Sequence, residues 1–319
     1  MKIDCIKRQI KSGRRQIAHY QHMQKAMRGE IDTNDHDLAI IIKQIHAIEK
    51  GLSMEHLRYG FGISRIEKML NHLHRYAQNG GDMQADECKM ARSVLWRYIT
   101  LHENANWHKA DYNAIKEQIQ TFFPEDIETD FGGTLVIHPN STKLDQSAFE
   151  TIVNSRHSVR SFKNESVNDA DLRKALELAM RAPSACNRQP VRVYVLDHSK
   201  FDVIQNWTGG VKTFIDSVDK LLIVTGQMAA FEDDEYYQYT ISAGIFAGYL
   251  TLALHTYGIG SCILQRSLIR EASWEVVAKA LSIPVNEQSV CAIAIGVPQD
   301  EVKVPASHRL SFDRIVTYI

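Results

Sequence analysis

Two polar clusters, RHSVRSF at residues 156–162 and APSACNRQP at residues 182–190, organise this chain. The first cluster holds two arginines and two serines, which suit a phosphate because guanidinium groups bind its oxygens in pairs and hydroxyls add donors. The second cluster offers amide, hydroxyl and backbone groups that could hydrogen-bond a flat ring rich in heteroatoms. The segment between them, residues 168–180, is predicted to be a helix. This stretch therefore indicates an enzyme with an anion-binding site beside a polar loop.

Beyond residue 146, predicted helices alternate with short apolar strands. Apolar runs rich in β-branched residues predict strands at residues 191–196, 220–225 and 290–295. Helices are predicted at residues 147–154, 168–180, 239–257 and 271–281. The second half of the chain is therefore expected to be a sheet covered by helices.

Residues 1–125 are predicted to be almost wholly helical. Apolar residues recur there at three- and four-residue spacing, as at Leu38, Ile41 and Ile45, after a helix cap at Asn34 or Asp35. About five helices would form a bundle. Turn-rich residues 126–145 would link this helical domain to a second domain at residues 146–319.

One segment of the helical region, HAIEKGLS at residues 46–53, stands out. His46 and Glu49 lie three residues apart and could share a helix face, as an ordinary polar pair or as an acid–base or metal pair. Gly51 is read as a left-handed helix cap. Gly60 and Gly62 predict a tight loop. The segment is either an ordinary helix end or a contact with a ligand or the second domain.

The composition is that of a soluble globular protein, with 44% hydrophobic and 24% charged residues. A formal net charge of −1 gives no overall field towards nucleic acid or membranes. Residues 1–30 are locally basic, with eight Lys/Arg against two acidic residues. This is either a solvated helix face or a polyanion or membrane-surface contact.

The sequence features that bear on compartment favour a cytoplasmic protein. Five widely spaced cysteines without a Cys-x-x-Cys pair indicate reduced thiols. The first residues lack the apolar core of a signal peptide, and the apolar run at residues 241–257 is too short and too polar to span a bilayer. No Gly-x-Gly-x-x-Gly after a strand, no P-loop and no metal-ligand spacing is present in the sequence. No metal is expected.

Read in order with four later motifs, the two clusters resemble the nitroreductase family of FMN enzymes. The later motifs are SAGIFAGYLTLA at residues 242–253, YGIGSC at 257–262, LSIP with AIAIGVP at 281–284 and 292–298, and RLS at 309–311. The resemblance implies an α+β fold, a three-layer α-β-α sandwich of the nitroreductase type, here preceded by an all-α domain. It also implies a homodimer with both flavins at the interface. NAD(P)H would reduce FMN at flavin N5, and a small organic substrate would then take the electrons.

The resemblance also implies which residues bind FMN. On the phosphate side, Arg156 and Arg309 would hold the phosphate with help from Ser158, and Arg160 would lie by the pyrimidine edge or ribityl chain. His157 is a further cofactor candidate, although it could simply pack at a helix end. Asn187 and Gln189 would hydrogen-bond the ribityl chain or polar atoms of the ring. Pro183 and Ser184 would pack near the ring in a partner subunit's site, and the backbone amides of Gly260 and Ser261 would approach the ring. No acid–base dyad is recognisable, so no side chain is assigned a catalytic role.

Two departures from the family pattern bear on function. Val191 follows Gln-Pro where an aromatic residue is frequent, which would leave room by the flavin or only change the core packing. The first 125 residues are not required by the core family, and HAIEKGLS resembles an extension in nitroreductase-like proteins linked to bacterial surface-polysaccharide synthesis. An oxidoreductase of unidentified substrate is therefore weighed against a flavin-binding module whose helices recruit partners, and against flavin-consuming or reductive-elimination chemistry.

Overall fold

The computed structural model describes residues 2–125, 131–138, 143–208, 211–265, 272–306 and 308–319. Most of the central part of the predicted linker, residues 126–130 and 139–142, lies outside the described residues, and so does residue 271 at the predicted start of a helix. The division into domains at residues 126–145 stays a prediction.

The N-terminal region is helical, as the sequence predicts. It contains α1 (Lys2–Met27), α2 (Thr33–Leu52), α3 (Ile63–Gln78), α4 (Asp86–Asn104) and α5 (Ala110–Phe122). Helix α2 is capped by Asp32, whose carboxylate accepts the Asp35 N–H at 3.0 Å, so the predicted cap at Asn34 or Asp35 is wrong. Ile41, Ile45 and Ile48 of α2 pack with side chains of α3, α4 and α5 in one buried core. The apolar face that this spacing predicts for α2 is therefore buried inside a helix bundle.

The HAIEKGLS segment contacts Gly133 of the predicted linker. Glu49 Oε1 accepts the Gly133 N–H at 2.9 Å, and His46 Nδ1 lies 3.9 Å from the other carboxylate oxygen of Glu49. The predicted left-handed cap at Gly51 is wrong, because α2 continues to Leu52 and Gly51 is not among the described residues with a positive φ. Gly51 is needed for space, since a Cβ there would lie 2.0 Å from the Phe61 ring.

The second half contains a four-stranded antiparallel sheet. Its strands are β1 (Val191–Leu196), β2 (Lys220–Gln227), β3 (Gly260–Gln265) and β4 (Glu287–Gly296), in the spatial order β1-β2-β4-β3. The register places Tyr194 opposite Ile223 and Ile223 opposite Ala292. Strand β3 was not predicted, because its glycine, serine and cysteine were read as part of a turn.

Helices cover both faces of this sheet. The helices are α6 (Gln146–Ser155), α7 (Asp169–Ala179), α8 (Phe201–Thr208), α9 (Gln238–Thr256) and α10 (Ala272–Ala280). Leu222 and Val224 of β2 pack with α7 and α9, whereas Leu221 and Ile223 pack with α8 and α10. The alternation follows from the two-residue period of a strand. The predicted three-layer α-β-α sandwich is confirmed.

The helical region packs directly on the segment that follows β2. Met23 and Met27 of α1 and Ala39 of α2 form one buried cluster with Phe231 and Tyr239. His36 Nδ1 lies 2.9 Å from the Ala229 carbonyl oxygen. Ala185, in the loop that leads into β1, packs against the same cluster, so the start of α2 stands beside that loop. Within the described part of the chain, no helix is both long and apolar enough to cross a membrane.

Candidate functional site

The first polar cluster lies where α6 ends. Arg156 caps α6 with extended backbone and donates its N–H to the Ile152 carbonyl at 3.2 Å. The chain then runs beside the first residues of β3: Ser158 forms a bridge with Ser261, and Val159 N–H donates to the Ser261 carbonyl at 2.9 Å. Two motifs about a hundred residues apart in sequence are thereby joined.

Between these motifs lies a cleft of about 270 Å³, called here the basic cleft. Its lining residues are Ser155, Arg156, His157, Val159, His255, Gly258, Ile259, Gly260, Ser261, Pro298, Val302 and Val304. None of these described lining residues is a carboxylate, whereas one is an arginine and two are histidines. A cleft with donors and without an acid suits an anion.

His255 is a residue of the basic cleft that sequence reasoning missed. Its Nε2 lies 2.7 Å from Ser155 Oγ. Burial lowers the pKa of His255, and the nearby positive charge of Arg156 and of His157 lowers it further. The basic cleft therefore holds a concentration of positive potential. The motifs did not reveal this, because His255 meets Ser155 only where the end of α9 lies beside the end of α6.

The glycines of the predicted turn have structural reasons. Gly258 has φ +71°, a left-handed conformation that ends α9, and a Cβ there would meet nothing within 4 Å. Gly260 starts β3, where a Cβ would lie 3.0 Å from the Phe162 ring and 3.3 Å from the Gly296 carbonyl oxygen. Gly260 thus permits close packing of the chain itself.

Three predicted cofactor residues, Ser158, Arg160 and Arg309, are not among the described residues that line the basic cleft. Arg160 is exposed, and its Nη1 lies 3.4 Å from the Ser158 carbonyl oxygen. Arg309 is exposed in a C-terminal segment, residues 308–319, whose residues are all exposed. Within a single chain the structure therefore brings Arg156, His157, Gly260 and Ser261 together, with Ser158 beside them, and leaves Arg309 apart.

The second polar cluster forms a loop with unusual backbone. It contains a 3₁₀ turn, Ala185–Asn187, and Cys186, Asn187 and Gln189 all have φ between 50° and 53°. Residues other than glycine rarely adopt this conformation, and such strain is concentrated at functional sites. The Ser184 hydroxyl oxygen accepts the Gln189 N–H at 2.9 Å.

Arg188 anchors this loop. Its side chain is fully buried and donates to both carboxylate oxygens of Glu235, at 2.8 and 2.6 Å, and to the Ala230 carbonyl at 2.9 Å. Its guanidinium also stacks on the Phe231 ring, 4.6 Å from the centroid. Two-pronged arginine–carboxylate pairs fix geometry as well as charge. A single buried side chain, Arg188, thus fixes the strained loop to the segment that contains Ala230 and Glu235.

Glu235 and its neighbour Glu232 also bind lysines of the helical region. Lys43 of α2 lies 3.2 Å from Glu235 and also pairs with Glu232, which accepts from Lys68 of α3 at 2.6 Å. Burial would raise the pKa of both glutamates, but the bonds from Lys43 and Lys68 lower that of Glu232 to about 2. For Glu235 the bond from Arg188 lowers it to about 2. We call these five side chains the interdomain ion network.

Beside the loop is a small cleft of about 140 Å³, called here the apolar cleft. Its lining residues are Met180, Ala182, Pro183, Ser184, Gln189, Val191, Arg192, Ser242 and Phe246. Asn187 is exposed and does not line it. Mostly apolar walls with two hydroxyls, an amide and a guanidinium suit a flat ring with polar edges. No residue described as lining the basic cleft also lines the apolar cleft, so the two predicted halves of the site lie apart on one chain.

The described cysteines are structural in most cases. Cys88, Cys186, Cys262 and Cys291 are free thiols. Burial raises the pKa of Cys262, and it raises that of Cys88 and that of Cys291 to about 12, so these three are poor nucleophiles. Among the described residues, no group of three or more His, Cys, Asp or Glu side chains could hold a metal ion.

Comparison with known proteins finds relatives of the second half of the chain. The model of the nitroreductase family matches residues 153–227 and 202–297. The chain is 27% identical over 167 residues to a protein of Archaeoglobus fulgidus named as an NADH dehydrogenase/NAD(P)H nitroreductase, covering 51% of this chain and 94% of the relative. It is 26% identical over 225 residues to a 4-nitrobenzoate reductase of Nocardioides, covering 54% and 90%. The resemblance to the nitroreductase family is confirmed for the α-β-α half of the chain.

Solved structures cover the same half. A nitroreductase of Desulfovibrio desulfuricans, crystallised in complex with FMN, is 21% identical and covers 55% of this chain and 98% of its own, with a TM-score of 0.48. An FMN-dependent nitroreductase of Clostridium difficile is 23% identical and covers 53% and 98%, with a TM-score of 0.44. The family match begins at residue 153, so α1–α5 lie outside it.

Proposed function

We propose that this protein is an FMN-dependent oxidoreductase that passes two electrons from NAD(P)H to a small organic substrate. The observation that carries the proposal is the basic cleft, in which motif residues far apart in sequence meet around a space lined by donors and by no described carboxylate. The family match supports it, as do the names of relatives that use NADH or NAD(P)H.

The residues present fit FMN. Arg156 and His157 would hold the phosphate end, with His255 as a further partner and Ser158 beside them. Arg160, Asn187, Gly260, Ser261 and Arg309 keep the roles that the family pattern implies, as part of the proposal. When bound, FMN supplies a ring that accepts and returns an electron pair at N5. The chain's own task is to orient that ring, exclude water and stabilise its charge.

We propose further that the working protein is a homodimer. The apolar cleft, with Pro183, Ser184 and Gln189, does not adjoin the basic cleft on one chain, so a complete site needs the apolar cleft of a second copy. Large apolar side chains are also exposed on one chain, including Phe149, Ile241, Ile245, Tyr249, Leu310, Phe312, Ile315 and Tyr318. Exposed apolar surface of this extent is typical of an interface. The C-terminal segment with Arg309 would then lie against the partner.

The experiment that tests the proposal is the visible spectrum of the purified protein, measured together with sedimentation. We expect a yellow dimer that NADH or NADPH bleaches without oxygen. Arg156→Ala with Arg309→Ala should lose the flavin, and unchanged flavin content would refute the phosphate assignment. A colourless protein that takes up no FMN would refute the function, and a monomer at micromolar concentration would refute the two-chain site. A yellow protein that neither donor reduces would favour a binding module without turnover.

The state of the thiols bears on the compartment. The described cysteines are free, as is usual in reducing compartments. We therefore propose a cytoplasmic protein, which fractionation of cells that express it would test.

A further inference from the structure

A third cleft lies between the helical region and the sheet. It has a volume of about 330 Å³. Its walls come from α2, the start of α4, Phe131 and the segment from Arg188 to Arg192, together with Gln227 and Ala230. It shares Gln189 and Arg192 with the apolar cleft, so the two spaces adjoin. We call it the interdomain cleft.

The interdomain cleft is a built feature of the fold. Its two sides are joined by the interdomain ion network and by the buried cluster of Met23, Met27, Ala39, Phe231 and Tyr239. Asp35 of α2 also accepts from Gln227 Nε2 at 3.3 Å and from Asn286 Nδ2 at 3.0 Å. Ion pairs, hydrogen bonds and apolar packing act together, so the helical region is held in one position over the loop.

The walls of the interdomain cleft combine apolar and charged surface. Leu38, Ile42, Met90 and Phe131 supply the apolar part. The charged part consists of Asp35, Asp86, Glu87, Arg188 and Arg192. The apolar share suits an organic molecule with a hydrophobic body.

The carboxylates outnumber the available cations. Glu235 already neutralises Arg188, which leaves Arg192 against three carboxylates. Neither Asp35 nor Glu87 has a cationic partner within 4 Å in the described chain, and Asp86 lies 3.9 Å from Lys89 at a site where its own side chain is largely exposed. Removing water from such a wall favours a ligand that brings positive charge.

The cleft also contains an unpaired hydrogen-bond donor, which indicates that the ligand carries an acceptor group at its uncharged end. Arg188 lines the cleft, is 3% exposed, and its Nε has no hydrogen-bond partner among the described residues. Arg192 donates to the Val191 carbonyl through Nη1 and pairs with no described carboxylate within 4 Å. Nitro and carbonyl oxygens are acceptors that such donors can bind.

We propose that the interdomain cleft is a substrate subsite for an electron acceptor that carries a basic amine on an apolar body. The amine would lie by Asp35 and Glu87, and the oxygen-bearing acceptor group would lie at the Gln189 and Arg192 side. The proposal rests on the proposed function, because it assigns the substrate class of the same site. It makes the helical region a determinant of specificity.

Three probes of similar size test it: 4-nitrobenzylamine, 4-nitrobenzyl alcohol and 4-nitrobenzoate, which are cationic, neutral and anionic. Each two-electron step is R–NO₂ + NADH + H⁺ → R–NO + NAD⁺ + H₂O. We expect kcat/KM for the amine to exceed that for the alcohol by about tenfold, the size of one half-buried ion pair, with the benzoate lowest. In Asp35→Asn with Glu87→Gln, the amine-to-alcohol ratio should fall towards one.

The matched control is Asp111→Asn. Asp111 is also an acid in the first turn of a helix, α5, but it does not line the cleft. This variant should keep the wild-type ratio. A second readout is calorimetric binding of benzylamine, which cannot be reduced, to the flavin-loaded protein; the double variant should weaken it about tenfold. Circular dichroism checks that the double variant folds, and Glu87→Gln alone replaces it if it does not.

The outcomes separate the two levels of the proposal. Equal kcat/KM for the three probes in the wild type, or an amine-to-alcohol ratio that the double variant leaves unchanged, would overturn the substrate class while the function stands. No turnover of any probe, in a protein that binds no FMN, would overturn the proposed function itself.

Discussion

The substitution Glu235→Gln tests how the strained loop is held. Glu235 accepts from Arg188 at 2.8 and 2.6 Å, from Lys43 at 3.2 Å and from the Glu232 N–H at 2.9 Å. Glutamine keeps the volume but removes the charge, which leaves a fully buried guanidinium without its anion. Breaking one side of a buried pair costs about 3–5 kcal/mol. We expect a loss near the lower end, about 3 kcal/mol in the free energy of unfolding, because the Ala230 carbonyl and the Phe231 ring still contact Arg188.

The measurement is urea unfolding followed by circular dichroism, together with the flavin content of the purified variant. The control is Glu232→Gln, which removes the charged partner of Lys68 and one of the two charged partners of Lys43 but leaves the pair between Arg188 and Glu235 in place. Because Lys68 and Glu232 are each about one-third exposed, this control should cost about 1 kcal/mol and keep the flavin. If the two variants lose equal stability and equal flavin, the pair between Arg188 and Glu235 does not hold the loop in place.

Further predictions concern pH and packing. Glu232 and Glu235 have pKa values lowered from 4.5 to about 2, so their stabilisation is complete above pH 4.5 and lost as the pH falls towards 2. Acid unfolding should therefore be shallower in Glu235→Gln than in the wild type across that window, and parallel curves would contradict the assignment. Gly51→Ala should cost about 1–3 kcal/mol in thermal or urea unfolding, since the new Cβ would lie 2.0 Å from the Phe61 ring. Gly13→Ala in α1 meets nothing within 4 Å and should be neutral or stabilising, so an equal loss in both variants would count against the packing argument.

Much of the fold follows from local patterns. The β-branched runs of β2 and β4 and the apolar spacing of α2 indicate burial directly. A strand covered on both faces has apolar side chains at successive positions, whereas a helix has them at every third or fourth position on its covered face. The motif at residues 156–162 was recognisable for a similar reason, since paired guanidinium and hydroxyl groups carry their chemistry in their residue types.

Other features needed the fold. Strand β3 begins with glycine and serine, residues with little strand propensity, and forms because β4 offers it a partner. Gly51 was misread since the letters show neither φ nor the ring of Phe61. Arg309 and Arg156 share a predicted role, yet on one chain they lie apart, which local motifs cannot reveal.

The contrast is clearest at the stretch from Arg156 to Pro190. Its residue types alone indicate an anion-binding site and a polar loop, because hydrogen-bond donors and turn residues express their chemistry locally. Which groups surround them depends on contacts between residues distant in sequence. Lys43, Glu235 and Arg188 meet because α2 packs against the segment after β2, and three carboxylates of the helical region line the same cleft as Gln189. Tertiary packing thus turned a generic flavin motif into a site with an acidic neighbour.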